Sequence, residues 1–351
     1  MDNLTHSLFG WTVARAGLGR RVPYATATLI VASNAPDVDI VAGLRSGVDY
    51  LAAHRGPTHG PLGVIGLGLA TAGLISAWAR LRSRRNGAEG IATQHFVRWW
   101  LLAMIGIVCH VLMDLPTSYG TRLLSPFVWT WYALDWMPII DVYLWLVLIV
   151  ALVAGSWRGR ERLAVIALAL MGCDYAARAA LHERALANGA SFDAAGTHAP
   201  CAAAPTFVVH SGAIDGSRAT PGACLDAAAL PTFFSPFTWH IVRQHPSTYE
   251  LSDRSVFDKR TTVHASRLAS DSGPDVVRAG TTRTGRLYFD FARFPIAQIS
   301  HPTATLTSVR LLDARFLAMA PGGDDVASNA RLSVVVTFDR AGRIVEEGFG
   351  N

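Results

Sequence analysis

Residues 61–79, "PLGVIGLGLATAGLISAWA", and 97–115, "VRWWLLAMIGIVCHVLMDL", are apolar runs of 19 residues each. As helices rising 1.5 Å per residue they reach about 28 Å, close to the ~30 Å hydrocarbon core of a bilayer. Runs of that length read as membrane spans, and two more follow at 138–157 and 163–181. Shorter apolar runs at 7–19 and 22–36 reach only about 20 Å and are expected as tilted partial spans, a re-entrant pair, or helices tucked against the others. The expected architecture is a bundle of four to six membrane helices.

The apolar content of 51% is unevenly spread. Residues 1–184 hold nearly all the long runs, whereas 185–351 alternates apolar residues with Ser, Thr, Pro, Asp and Gly. The expected division is therefore a membrane-embedded helical domain (1–184) followed by a mostly antiparallel β domain (185–351). Strand patterns stand at 206–210 "TFVVH", 237–243 "FTWHIVR", 286–291 "RLYFDF" and 308–319 "SVRLLDARFLAM". The clearest signal is "RLSVVVTFD" and "RIVEEGF" flanking "RAG", which reads as a hairpin. Cys201 and Cys224 fall in this half and are able to pair if it faces an oxidising compartment.

A net charge of +5 and a pI near 9.3 raise the question of nucleic acid. The arginines form no basic stripe interleaved with aromatics, so no nucleic-acid partner is expected. They sit between apolar runs instead: Arg20 and Arg21; Arg80, Arg82, Arg84, Arg85 and Arg98; Arg158, Arg160 and Arg162. The positive-inside rule makes those connections cytoplasmic. The segments 37–60 and 116–137 and the β half then face outward, toward the periplasm of a bacterial inner membrane. The start, "MDNLTHSLFG", lacks the positive charge and cleavage site of a signal peptide, so the first helix is expected to remain in the mature protein.

Nine ionisable side chains cluster at the ends of the apolar runs: His6, Asp37, Asp39, His54, His59, His110, Asp114, Asp135 and Asp141. In the topology set by the arginines, all nine fall on the outer face. Imidazole and carboxylate together suit zinc, manganese or iron. His110 and Asp114, four apart, share a helix face. Asp37 and Asp39, two apart after a proline, are read as an extended stretch. Nine groups exceed what one ion needs, which favours two or three ions able to clamp a phosphoester. Arg55 either neutralises the carboxylates or holds a phosphate oxygen. Asp135 and Asp141 could equally be interfacial caps, and His6 a helix-start residue. Trp129, Trp131, Tyr132 and Trp136 read as an interfacial aromatic belt, and Gly63, Gly66, Gly68 and Gly73 as close helix packing.

The ordered motifs "NLTHSLFG", "NAPDVD", "HRGPTHG", "HVLMDLPTSYGTRLLSPF" and "ALDWMPIIDVYLW" resemble those of bacterial membrane-bound metal-dependent hydrolases described as LexA-regulated inner-membrane proteins. The ligand order is also similar to that of zinc-dependent phospholipase C and the single-strand-specific P1-type nucleases. The resemblance implies His6, Asp37 or Asp39, His59, His110 and Asp114 as ligands, most naturally of zinc. It places Gly60 where the family's second-histidine motif continues with Ser.

The function expected from these features is hydrolysis of a phosphoester in a lipid or lipid-linked substrate at the outer membrane face, with Asp37 or Asp39 as general base. The bilayer itself is the expected partner. Two alternatives are a non-enzymatic metal transporter or sensor, whose ligands would line a path through the helices, and a P1-like nuclease. Asp174 is the clearest acid near mid-span for such a path.

Overall fold

A computed structural model describes residues 1–86, 91–158, 161–201, 223–258, 262–317 and 332–350. The chain forms two compact units, one of Met1–Ile40 with Ala53–Arg178 and the other of Val41–Ala52 with Ala179–Asn351.

The first unit is helical, built from α1 (Asn3–Arg15), α2 (Ala25–Ala32), a 3₁₀ helix that starts at Ala35, α4 (Pro61–Asn86), α5 (Ile91–Asp114), α6 (Val142–Arg158) and the first part of α7 (Glu161–Ser191). Among the described residues, three helices are long and apolar enough to cross a membrane: Pro61–Ser83, Gln94–Asp114 and Glu161–Ser191. A fourth span arises if α2 and the 3₁₀ helix Ala35–Leu44, bent by 44° at their junction, cross as one; Val142–Ser156 is shorter. The "NAPDVD" segment is thus 3₁₀ helix and not the extended stretch expected.

Helix α5 shows how lipid and protein divide one cylinder. Val97, Leu101, Ile105, Val108 and Leu112 form an exposed apolar stripe at spacings of three and four, while Trp99, Ala103, Ile107, His110 and Asp114 form the buried one. The stripe turned inward ends in ionisable groups.

Two glycines set how close the helices come. A Cβ on Gly106 of α5 would lie 2.8 Å from the Ala32 Cβ, and one on Gly10 of α1 would lie 2.9 Å from the Leu29 carbonyl oxygen and 2.8 Å from the Ser33 Oγ. Both helices therefore touch the same turn of α2. His6 is one turn before Gly10 and His110 one turn after Gly106, so the close approach delivers both imidazoles to one place. In α4, Gly68 makes the expected close contact with Met104 and Trp100 of α5, but nothing lies within 4 Å of a Cβ placed on Gly66 or Gly73.

Asp2 caps α1, accepting from the Leu4 and Thr5 amides at 3.0 Å each. The 115–141 connection is folded, with bridges pairing Thr117 with Met137 and Thr121 with Tyr132. Trp131 departs from the aromatic-belt expectation: it is 1% exposed beneath the Arg122 guanidinium, 4.2 Å from its ring centre.

The second unit contains α3 (Gly47–Ala53) up to Ala52, the end of α7 and two four-stranded antiparallel sheets, each in sequential order: β1 (Asp226–Pro231), β2 (Thr238–Gln244), β3 (Thr248–Ser255) and β4 (Thr262–Ala269), and β5 (Pro295–Thr303) to β8 (Ile344–Phe349). The first three strands of the first sheet are buried on both faces. Ala229, Trp239 and Ile241 pack on Leu181, Ala185 and Leu186 of α7, while Ala228, Leu230, Val242 and Leu251 pack on Phe294, Ile296 and Leu312. Arg243 donates to the carbonyls of Gly189, Phe192 and Ala199, tying β2 to the end of α7, and Cys201 and Cys224 form a disulfide.

The 237–243 strand is β2 (Thr238–Gln244), and the hairpin around "RAG" is β7 (Ser333–Asp339) with β8. The 206–210 segment lies outside the described residues. The 286–291 expectation is corrected, because "RLYFDF" lies in helix α9 (Arg283–Phe291). The Thr282 hydroxyl caps it by accepting from the Gly285 amide, and Thr284, Tyr288 and Phe291 recur on its buried face. The 308–319 strand ends at Asp313, whose carboxylate accepts from the amides of Arg293 and Arg315 and turns the chain into a short 3₁₀ turn at Ala314–Phe316.

If close helix approach at Gly106 shapes the bundle, Gly106→Leu lowers stability by about 1–3 kcal/mol through overpacking. Gly66→Ala, facing open space, leaves it unchanged or slightly raised. Thermal unfolding of the two variants in detergent checks the contrast.

Candidate metal centre

The end of α2, the 3₁₀ helix, the turn before α4 and the last turn of α5 bring Asp37, His59, His110 and Asp114 together, with one ligand atom from each within 4.8 Å of the others. His59 Nε2 lies 3.2 Å from His110 Nε2. Asp114 Oδ2 lies 3.4 Å from the first and 3.3 Å from the second. Asp37 Oδ1 closes the group at 3.9 and 3.6 Å.

Hydrogen bonding on the far side of each ring fixes what it offers here. His110 Nδ1 is 2.7 Å from the Ser33 carbonyl oxygen, which only accepts, so Nδ1 carries the proton. His59 Nδ1 is 2.9 Å from the Thr58 hydroxyl, which itself donates to Asp39 Oδ2 at 3.0 Å. His59 therefore donates from Nδ1 as well. Burial holds the His59 imidazole below its usual range, against the opposing pull of Asp114, and so keeps it neutral. Two Nε2 lone pairs then face one another beside a carboxylate oxygen that is buried with no hydrogen-bond partner among the described residues. A proton satisfies such a set poorly and a cation satisfies it well. Tetrahedral ligands at zinc-like bond lengths are about 3.3 Å apart, and the atoms here are separated by nearly that.

Asp37, Asp39 and His54 form a second group that meets the same distance criterion and shares Asp37 with the first. Asp39 is heavily engaged: it faces His54 Nδ1 at 2.9 Å and accepts from the Arg55 amide at 2.9 Å and from Thr58. His6 is fully buried, stacked on His110 at 3.8 Å between ring centres, with Nε2 3.4 Å from Asp114 Oδ1. Both its ring nitrogens are without hydrogen-bond partners among the described residues.

Arg55, at φ 52°, lies in the left-handed region, which aims its amide at Asp39 while its side chain runs toward α5. Its guanidinium donates to Thr117 Oγ1 at 2.8 Å, the Gly120 carbonyl at 3.3 Å and Asp114 Oδ1 at 3.2 Å. The charged contact that this geometry shows is with the Asp114 carboxylate. The Met1 amino group also pairs with Asp114 Oδ1, leaving Oδ2 for the centre.

Asp135 and Asp141 are not brought into either group. Asp141 caps α6, accepting from the amides of Tyr143 and Leu144 at 2.9 and 3.0 Å, and forms a buried ion pair with Arg178. Asp135 is buried at φ 59° in the 115–141 connection. The residues that orient the site and that the sequence did not single out are Thr58, Thr117 and the Ser33 carbonyl. The first two stand inside "PTHG" and "LPTSYG", where a hydroxyl beside a ligand histidine or aspartate was the available signal. Gly60 has a steric reason: a Cβ there would lie 1.8 Å from the Ser125 carbonyl oxygen, so a serine hydroxyl has no room in this backbone.

Residues 1–185 match the family model described as YdjM inner membrane protein. The chain belongs to that family. It is 26% identical over 156 residues to YfhP, an uncharacterized protein of Bacillus subtilis (strain 168), a match covering 42% of this chain and 43% of YfhP. No solved structure matches it significantly. The family match contains every residue of both ligand groups and stops short of the β sheets, so the centre belongs to the shared part of the chain.

His110→Ala and Asp114→Asn are expected to cut affinity for a divalent ion by more than about tenfold, since loss of even an outer-shell partner costs that much. Asp141→Asn, which breaks a buried ion pair, is expected to cost about 3–5 kcal/mol of stability while leaving metal content intact. Elemental analysis and thermal unfolding of detergent-purified variants separate the two effects.

Proposed function

We propose that this YdjM-family protein is a divalent-metal-dependent hydrolase of a phosphoester in a lipid or lipid-linked substrate, with zinc the best match to its ligands. The observation that carries the reading is the pair of ligand groups joined at Asp37, because adjacent ion sites are the arrangement that serves phosphoryl chemistry. Bound there, the ions would supply Lewis acidity and activation of water at neutral pH.

The protein's own part is orientation and proton handling. Thr58 and the Ser33 carbonyl hold the His59 and His110 rings with Nε2 inward. Arg55 holds Asp114 by one oxygen. Asp39 faces His54 and accepts from the Arg55 amide and Thr58, and Asp37, with 15% of its side chain exposed, is the carboxylate common to both ligand groups and the one nearest to solvent.

Placement at the ends of membrane-length helices makes a substrate with a headgroup phosphate the natural class. The arginine distribution supports an outward-facing site, and the Cys201–Cys224 disulfide agrees with an oxidising compartment for the second unit. The transporter alternative requires ionisable groups along a path, and Asp174 is instead paired with Arg178 at 3.3 Å.

Detergent-purified protein loaded with zinc or manganese and incubated with a bacterial membrane lipid extract is expected to release a phosphorylated headgroup or phosphate, detected by mass spectrometry. His110→Ala is expected to lower the rate at least a hundredfold. Equal product from wild type and variant, or none from wild type with either metal, would overturn the proposal.

A further inference from the structure

Four phenylalanines are exposed on two adjacent turns of the first β sheet. Phe233 (47% exposed), Phe234 (78%) and Phe237 (46%) lie in the β1–β2 connection, and Phe257 (66%) follows β3. The turns are tied together: the Phe237 and Phe257 ring centres are 5.3 Å apart, and the Val256 amide donates to the Phe237 carbonyl at 2.9 Å. Soluble surfaces seldom show four large aromatic rings at one tip.

Helix α7 fixes where this tip stands relative to a bilayer. Its apolar stretch, residues 163–181, is 19 residues long, or about 28 Å of helix, nearly the hydrocarbon thickness. His182, Glu183 and Arg184 come next, at the depth where headgroups begin. The Arg184 guanidinium lies 5.9 Å from the centre of the Phe257 ring. Leu181 packs against the same cluster as Val256 and Trp239. Arg184 is three residues past the apolar stretch, about 4–5 Å along the axis, so the tip stands at the edge of the hydrocarbon beside a cation suited to lipid phosphates.

We infer that Phe233, Phe234, Phe237 and Phe257 form an aromatic anchor that enters the interfacial layer of the leaflet from which α7 emerges. Its partner is the lipid surface, with Arg184 meeting headgroup phosphate while the rings lie among the upper acyl chains. The anchor needs no ligand at the metal centre and stands whether or not that centre is catalytic.

The test uses the full chain in vesicles of phosphatidylethanolamine and phosphatidylglycerol, with Cys109 and Cys173 replaced by Ala and the disulfide intact. A nitroxide on Phe257→Cys, and separately on Phe233→Cys, is compared with one on Val277→Cys of α8 (Pro274–Thr281), which is 69% exposed. Power saturation is expected to show high accessibility to oxygen at 257 and 233, with accessibility to a water-soluble nickel chelate at least fivefold below that at 277. Nickel accessibility equal to that at 277 would place the tip in water, and shielding from both reagents would mean that protein covers it. Either result overturns the inference.

Discussion

Asp114 is a carboxylate with no exposure, at the carboxyl end of a membrane-length helix. Both circumstances oppose its charge: burial removes solvent, and the helix terminus presents unsatisfied carbonyls. Such a group persists only where cations or strong donors converge on it. Here Arg55 and the Met1 amino group approach Oδ1, while Oδ2 faces the Nε2 lone pairs of His59 and His110, where a bound cation would supply the missing partner. Meeting that requirement draws in the start of α1, the turn before α4 and the 115–141 connection through Thr117 and Gly120. The left-handed backbone at Arg55 follows from the same demand, because one residue must serve Asp39 with its amide and Asp114 with its side chain. The glycine contacts at Gly10 and Gly106 then let α1 and α5 come near enough to α2 for His6 to stack on His110.

Much of this was legible in the sequence, for a physical reason. An ionisable residue beside a hydrocarbon-length apolar run is costly unless it is used, so position alone marked out His59, His110 and Asp114. The 3.6-residue period placed His110 and Asp114 on one face, as they are found. Asp141 escaped that logic because a helix cap and a buried ion-pair partner occupy the same sequence position as a ligand. The partner, Arg178, lies 37 residues on and is visible only in three dimensions. The role of Arg55 was likewise undecidable, since neutralising a carboxylate and gripping a phosphate require the same side chain.

The second unit illustrates a different limit. Strand β2 read clearly because its alternation is aromatic and β-branched, and the β7–β8 turn because Asp339 and Gly342 carry recognisable turn chemistry, the latter at φ 79°. "RLYFDF" offered the same alternation and is a helix. Six residues sample less than two helical turns, too few to distinguish a period of 2 from one of 3.6. What decided it was the Thr282 cap and the burial of Thr284, Tyr288 and Phe291, signals that begin upstream of the hexapeptide. The joining of Val41–Ala52 to this unit had no local signal: Gly47, where a Cβ would meet the Phe349 ring, and the Asp49–Arg283 ion pair depend on residues more than two hundred positions away.

The candidate ligands come from segment ends and not from helix interiors, and this bears on what a metal held there could do. Groups placed mid-helix at successive turns make a line along which an ion can step from site to site. Here Asp37 and Asp39 lie in a 3₁₀ helix, His54 and His59 in the turn before α4, and His110 and Asp114 in the last turns of α5. Each segment contributes at one level, and the result is a cluster with fixed tautomers, not a path. Fixed tautomers in turn require acceptors and donors outside the cluster, which the Ser33 carbonyl and Thr58 provide. A conduit benefits from exchangeable, loosely held ligands, whereas a reaction centre benefits from ligands whose geometry is set before substrate arrives. The fixed rings of His59 and His110, together with the shared and partly exposed Asp37, are what support the proposed catalytic reading over a conduit.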